Sequence, residues 1–372
     1  MSFKFNGAEL RLARIFNGFA LEEVAERVDK TRQYMHKLET GQAAPTEQLA
    51  EQLASFLQVT PAFFYRDHVQ SLGEEQFHFR KLFTTKAMIK QVTMARGEVI
   101  NRLVVYLDEV LRLPDVRIPE FSEALTPDDI ERVAENCRRE WDLGSGPISD
   151  TIRLAEHLGV VVTCFSNVSK EVDALSLAVA RPIIVRNEAK ESVCRQRFDV
   201  GHELGHCVLH RGISTGDRIT ENQANRFSSA LLIPRAMMAK LFPRPKGSRL
   251  DWIGLREFKL TWKVSKAAIL YRARQLDLIT DDQYKSGVIT LRRTGEATGE
   301  REDNLIAPET PTLLARSLNV LAEKKAIFGE DIALELGVTP AFLRNAVGFD
   351  IPMRGTPGGH GRNQRPALYL VA

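Results

Sequence analysis

The sequence predicts a multidomain, mainly α-helical protein with one α+β domain in its middle, and three observations carry that expectation. The chain has 372 residues, too many for one ordinary core when domains usually run about 100–200 residues. Apolar residues recur at helical spacing through residues 8–66, between clear breaks. From about residue 127 onward, helical periods alternate with short, β-branched, strand-like runs. Hydrophobic residues make up 44% and charged residues 27%, a balance that buries a core and keeps the chain dissolved. The expected division is residues 1–68, an all-α bundle; 69–126, a helical linker arm; 127–290, the α+β domain; and 291–372, a small helical domain with a flexible tail.

In the first unit Leu10, Ala13 and Ile15, then Leu21, Val24 and Ala25, then Tyr34, Met35 and Leu38, then Leu49, Leu53, Phe56 and Leu57 mark short helices. Gly18 and residues 41–45 separate them. Residues 21–27 read as a supporting helix, 28–30 as a turn and 31–38 as a second helix capped by Thr31. Arg32, Gln33, Tyr34 and His36 then face outward while Met35 and Leu38 pack inside. Arginine and glutamine at the start of such a helix suit base edges in the major groove, and Lys30 and Lys37 suit the phosphate backbone. The run LEEVAERVDKTRQYMHKLETGQAAPTEQLAEQLASFLQV resembles the phage-repressor, or XRE-type, helix-turn-helix domain. The resemblance implies a double-stranded DNA operator as partner, contacted by Thr31, Arg32, Gln33, Tyr34, His36 and Lys37. Acidic residues outnumber basic ones in this unit, so one copy should bind weakly. A homodimer that doubles the phosphate contacts, or a domain that recognises protein instead, is the expectation.

A long helical stretch, residues 81–112, and a proline-bearing segment, 113–127, form the expected arm. Helices are then expected at 128–141 and 148–158, and strands at 160–165, 174–179 and 182–185. The helix bearing the histidines follows, then one at 222–232 stopped by Pro234, and a helical pair at 252–263 and 265–276. Residues 280–311 are polar and loosely patterned. Residues 331–347 (DIALELGVTPAFLRNAV) repeat the form of helix, glycine turn and Thr-capped helix. Their outward face offers only Arg344 as a strong contact, so packing or dimerisation is expected of them rather than a second reading of DNA. The tail from Gly355 to Arg365, with His360, reads as a flexible arm for anions or as inert.

Composition excludes several classes. The N-terminus lacks the positive-then-apolar pattern of a secretory signal, and no apolar run approaches the roughly 18–20 residues that span a bilayer, so a cytoplasmic protein with no membrane partner is expected. Cys137, Cys164, Cys194 and Cys207 are scattered without CxxC pairing, which points to reduced thiols rather than a disulfide framework or a cysteine-rich zinc module. The net charge of +3 is too mild to indicate nucleic-acid binding by itself.

The sharpest chemical signal is His202-Glu203-Leu204-Gly205-His206. It places two imidazoles one helical turn apart, on one face and within reach of a single ion. Zinc takes neutral nitrogen ligands and keeps a position open for water, whose pKa it lowers to roughly 7. Glu203, beside that water, is placed to take its proton. Phe198, Val200, Leu204, Val208 and Leu209 give the helix an apolar side for burial. A third ligand is required, and His210, Asp217 and Glu221 are the candidates. His210 sits one turn further along the same helix, too far along the axis to share the ion comfortably, and is expected to pack or to support a ligand. Glu221 begins a new helix after the loop 211–220, where a returning helix could present its carboxylate from the other side. Asn225, one turn later, could then hydrogen-bond the outer nitrogen of a ligand histidine and fix its tautomer. The arrangement HExxHxxGxxH is excluded, because this chain has Leu209 and Gly212 where it needs glycine and histidine. A zinc that merely staples the fold needs no base, so Glu203 argues for chemistry.

The stretch RPIIVRNEAKESVCRQRFDVGHELGHCVLHRG, followed by ENQANRFSSALLIP, resembles the ImmA/IrrE group of metallopeptidases, over about residues 130–290. The resemblance implies a gluzincin-like domain with Zn2+ held by His202, His206 and Glu221, and Glu203 catalytic. It also implies a substrate class, a helix-turn-helix repressor or antitoxin-like protein. One departure is Gln223, which stands where an acidic residue is common beside the ExxAN pattern and leaves the ligand itself untouched. The leading expectation is a transcription regulator with a built-in zinc endopeptidase that can rest inactive until triggered. The alternatives are a non-proteolytic DNA-binding regulator or antitoxin whose zinc domain is a sensor or interaction module, and a peptidase whose N-terminal domain recognises protein only.

Overall fold

The structure, a computed structural model, describes residues 4–66, 72–79, 87–121, 126–165, 174–187, 192–247 and 249–355. Local capping chemistry starts the N-terminal helices. Asn6, Thr31 and Thr46 accept backbone amides at the starts of α1 (Gly7–Phe16), α3 (Arg32–Glu39) and α4 (Glu47–Leu57), and Glu23 bonds the Ala20 amide at the start of α2 (Leu21–Arg27).

The arm that follows is not helical throughout. Phe77–Phe79 form a strand, β1, before the long helix α5 (Ala87–Val110). Residues 81–86 of the helix expected there lie outside the described residues. Next come α6 (Pro127–Glu140), α7 (Thr151–His157), β2 (Val161–Phe165), β3 (Ala174–Leu177), β4 (Ile183–Asn187), α8 (Val193–Leu209) and α9 (Arg218–Leu232). The strands lie in the order β1-β3-β4-β2, with β2 parallel to β4 and the other two pairs antiparallel.

This small sheet separates two hydrophobic cores. Because side chains alternate across a strand, Val161, Leu175, Leu177, Ile183 and Val185 enter one core, while Val160, Val162 and Ile184 enter the other with Val200, Leu204 and Val208 of α8. Phe77 follows the same rule and joins the first core. On the α8 side, β1 and β3 carry a polar pair where apolar residues would be ordinary. His78 stands opposite Ser176 in register, and both are fully buried.

The second core is closed by α10 (Arg235–Leu241), α11 (Trp252–Trp262), α12 (Lys266–Gln275) and α13 (Asp281–Arg293). Helix α13 lies in the stretch expected to be loosely patterned, and a Thr280–Gln283 capping box opens it. Beyond it, Glu300 and Asp303 close on the buried ammonium of Lys259, and Glu296 on that of Lys266. Ion pairing rather than an apolar stripe anchors this stretch, which explains its weak periodicity.

The last helices, α14 (Leu313–Lys325), α15 (Gly329–Leu336) and α16 (Pro340–Val347), return to the first core. The rings of Phe342 and Phe16 stack at 3.9 Å, and the Thr60 amide donates to the Gly337 carbonyl at 2.8 Å. Arg102 of α5 makes a buried double hydrogen bond to Glu9 of α1, at 2.7 and 2.8 Å. The N-terminal bundle, α5, one face of the sheet and the C-terminal helices therefore share a core. All four cysteines are free thiols, three of them buried. Among the described residues no helix is long and apolar enough to cross a membrane.

Candidate functional site

The HExxH helix and its returning partner meet through two glycines. A Cβ on Gly201 would come within 2.6 Å of Ser228 Oγ, and one on Gly205 within 3.0 Å of Phe227 Cδ1 and 3.3 Å of Ala224 Cα. Both sit on the α8 face that receives α9, so the backbones approach closely. Asp217 accepts the amides of Ile219 and Thr220 and thereby starts α9, which puts Glu221 in its first turn. Asp217, a candidate ligand in the sequence, is spent on this cap.

Three ligand atoms converge. His202 Nε2 and His206 Nε2 are 3.0 Å apart, and the Glu221 carboxylate lies 3.4 Å from each. Among the described residues these three form the only His, Cys, Asp or Glu group whose ligand atoms all lie within 4.8 Å of one another. A tetrahedral ion with ligands at about 2.0–2.1 Å separates them by roughly 3.3 Å, so the spacing fits zinc.

Hydrogen bonding fixes the tautomers in the same sense. His202 Nδ1 lies 3.0 Å from Asn225 Oδ1, which can only accept, so Nδ1 carries the proton and Nε2 a lone pair. On the other side Gln223 Oε1 lies 2.8 Å from His210 Nε2, and His210 Nδ1 lies 2.9 Å from His206 Nδ1. A proton on His210 Nε2 leaves its Nδ1 to accept from His206 Nδ1–H, which again bares Nε2. Two lone pairs then face each other at 3.0 Å, an arrangement that a cation relieves. Burial holds the His206 and His210 pKa values below the usual histidine range, in keeping with neutral rings.

Glu203 is 1% exposed. One of its oxygens, Oε2, accepts from Ser176 Oγ at 2.6 Å, and the other, Oε1, is buried without a hydrogen-bond partner. Burial pushes its pKa up to about 7, against the pull of His202 and the Ser176 hydroxyl. His78, like Ser176, is a residue of the site that sequence reasoning missed. Its ring lies parallel to His206, 10° between planes and 5.1 Å between centroids, and its Nδ1 is 2.8 Å from Thr215 Oγ1. The only signal in the sequence was the alternation Phe77-His78-Phe79, too short to stand out inside an arm read as helical.

The helix-turn-helix face is simpler. Thr31 caps α3, Met35 and Leu38 are buried, and Arg32, Gln33, His36 and Lys37 are exposed. Tyr34 is half-buried, its hydroxyl turned toward the Ala44 carbonyl, because it packs on the bundle and so faces outward less than its position suggests. Arg32 pairs with Glu22 of the supporting helix at 2.5 Å, an exposed pair that phosphate or base contacts can displace.

Residues 155–274 match the family model of the IrrE N-terminal-like domain of the M78 peptidases, and residues 7–62 match that of a helix-turn-helix domain. No curated protein matches the chain at a significant level. The first match spans α8, α9 and the three converging side chains, and the second spans α1 to α4. The chain thus joins an N-terminal helix-turn-helix domain, of a kind that suggests DNA binding, to an IrrE N-terminal-like domain of a peptidase family.

Proposed function

We propose that the protein is a DNA-binding transcription regulator with a built-in zinc endopeptidase of gluzincin type, whose substrate is a helix-turn-helix repressor or antitoxin-like protein. The reading assigns His202, His206 and Glu221 to the metal and Glu203 to the reaction. It rests on one observation above all: two bared imidazole nitrogens and a carboxylate converge beside a buried carboxylate that keeps one oxygen free.

Zinc, when bound, supplies the Lewis acidity that makes water nucleophilic near neutral pH. Glu203 Oε1 takes a proton from that water as its oxygen bonds to the carbonyl carbon of the peptide, whose π electrons move to the carbonyl oxygen. As the C–N bond breaks, the same proton passes to the departing nitrogen, and a carboxylic acid and an amine leave. A pKa of about 7 suits a group that must accept and then return a proton. Ser176 holds the other oxygen, so only Oε1 turns to the water. Asn225, and His210 with Gln223, keep the two imidazoles in the ligating tautomer. On α3, the exposed Arg32, Gln33, His36 and Lys37 support operator reading, with a homodimer supplying the phosphate contacts that one mildly charged copy lacks.

The test pairs metal content with cleavage of the repressor or antitoxin encoded nearest to this gene. Glu203→Gln should keep one zinc per chain and lose about 10²–10⁴-fold in cleavage rate, the usual contribution of a general base. Wild-type protein that carries zinc and cleaves no such partner would shift the reading to a sensor or interaction module.

A further inference from the structure

We propose that His78, carried on the arm strand β1, is a substrate-contacting residue of this centre, and that its Nε2–H donates to the peptide oxygen that becomes negative as water adds to the carbonyl. The inference rests on the peptidase reading above and extends it to a residue outside the matched segment 155–274.

The position is built. Register with β3 puts His78 opposite Ser176, the residue that orients Glu203, so one strand pair presents both polar groups to α8. His78 is fully buried, and its Nε2 is a buried polar atom without a hydrogen-bond partner. An unmet buried N–H costs about 1–3 kcal/mol and is rarely kept without use. The tautomer follows from Thr215, a buried hydroxyl that, among the described residues, is hydrogen-bonded to His78 Nδ1. With the hydroxyl proton given to Nδ1, the sole unpaired donor is Nε2–H. The opposite assignment would strand the hydroxyl proton and the Nε2 lone pair together.

His78 is not a fourth ligand in this geometry. Its ring stacks on His206, 10° between planes and 5.1 Å between centroids, and its nitrogens are outside the group of ligand atoms that converge. A buried, unpartnered donor on a ring stacked against His206, and opposite the serine that holds Glu203, is placed for a developing oxyanion, which gains most from a preset donor.

The experiment uses the full chain loaded with cobalt(II) and inorganic phosphate as the oxyanion probe, followed in the visible spectrum. His78→Phe should keep one cobalt per chain with an unchanged phosphate-free spectrum, and bind phosphate about tenfold or more weakly. His78→Gln, which keeps an N–H donor, should recover part of that affinity. Thr215→Val, which frees the tautomer and leaves the ring in place, should weaken phosphate severalfold, and it decides the matter alone if the phenylalanine variant fails to fold. If wild type cleaves the partner protein, His78→Phe should also lower kcat about 10²–10³-fold with KM nearly unchanged. A wild type that binds no phosphate, or equal phosphate affinity across the set, overturns the role of His78. Absence of cleavage by wild type bears instead on the peptidase reading, since the phosphate comparison does not need turnover.

Discussion

Each imidazole of the His202–His206 pair is held by an acceptor that carries no charge. Asn225 Oδ1 serves His202 directly, and Gln223 Oε1 serves His206 through His210. The neutral relay makes Gln223 intelligible in place of an acidic residue, since an amide oxygen accepts from His210 as a carboxylate would, without adding charge beside Glu221. The expected consequence is that Asn225→Leu lowers zinc affinity about 10–100-fold, the usual cost of losing the partner of a ligand histidine. A competition titration against a chromophoric chelator checks it, and an affinity equal to wild type would mean that packing alone sets the His202 tautomer. The spacing of His202, Glu203 and His206 and the one-turn offset of Asn225 from Glu221 were legible in the sequence, because helical geometry relates residues a turn apart. His78, Ser176 and Thr215 were not. The His78–Thr215 bond joins residues 137 positions apart, and nothing local to either side chain announces the other.

At the scale of elements, the site depends on how closely α9 lies against α8. Gly201 and Gly205 clear one face of α8, and the Asp217 cap fixes where α9 begins, so Glu221 faces the histidines. Gly205→Val would drive a branched side chain into Phe227 and the Ala224 backbone. We expect it to cost about 1–3 kcal/mol, the range for overpacking, and to shrink the rise in Tm that zinc produces, because Glu221 rides on the displaced helix. Thermal unfolding with and without zinc separates the two effects. A uniform loss of Tm with the zinc increment preserved would show that Glu221 tolerates the shift. Helix positions were readable from periodicity, but their ends were set by caps. Helix α9 starts at Arg218 rather than at 222, since Asp217 draws the preceding residues into the first turn. Strand β1 escaped notice for the opposite reason, as three residues carry too little pattern and their pairing with β3 is a property of the folded chain.

Across the whole molecule, the sheet is the wall between two cores, and the helix-turn-helix bundle lies on the side away from His202, His206 and Glu221. That bundle does not hang on a free linker. Arg102 of α5 pairs with its buried Glu9, Phe342 of α16 stacks on its Phe16, and Phe77 of β1, next to His78, lies in the same core. The four segments suggested by composition thus interlock through shared cores, because the apolar faces of α5 and of the C-terminal helices find their partners far along the chain. Phe342 is fully buried, and its replacement by alanine should cost about 3–5 kcal/mol. If the core is one cooperative unit, the cost spreads. Amide exchange should speed up in α1 and α5 as well as in α16, and operator affinity should fall although α16 lies far in sequence from the reading helix. Faster exchange confined to α14–α16, with α1 as protected as in wild type, would instead mark the C-terminal helices as a separable unit resting on the bundle, and would place the link between the α3 face and the His202–His206–Glu221 cluster in α5 and β1 alone.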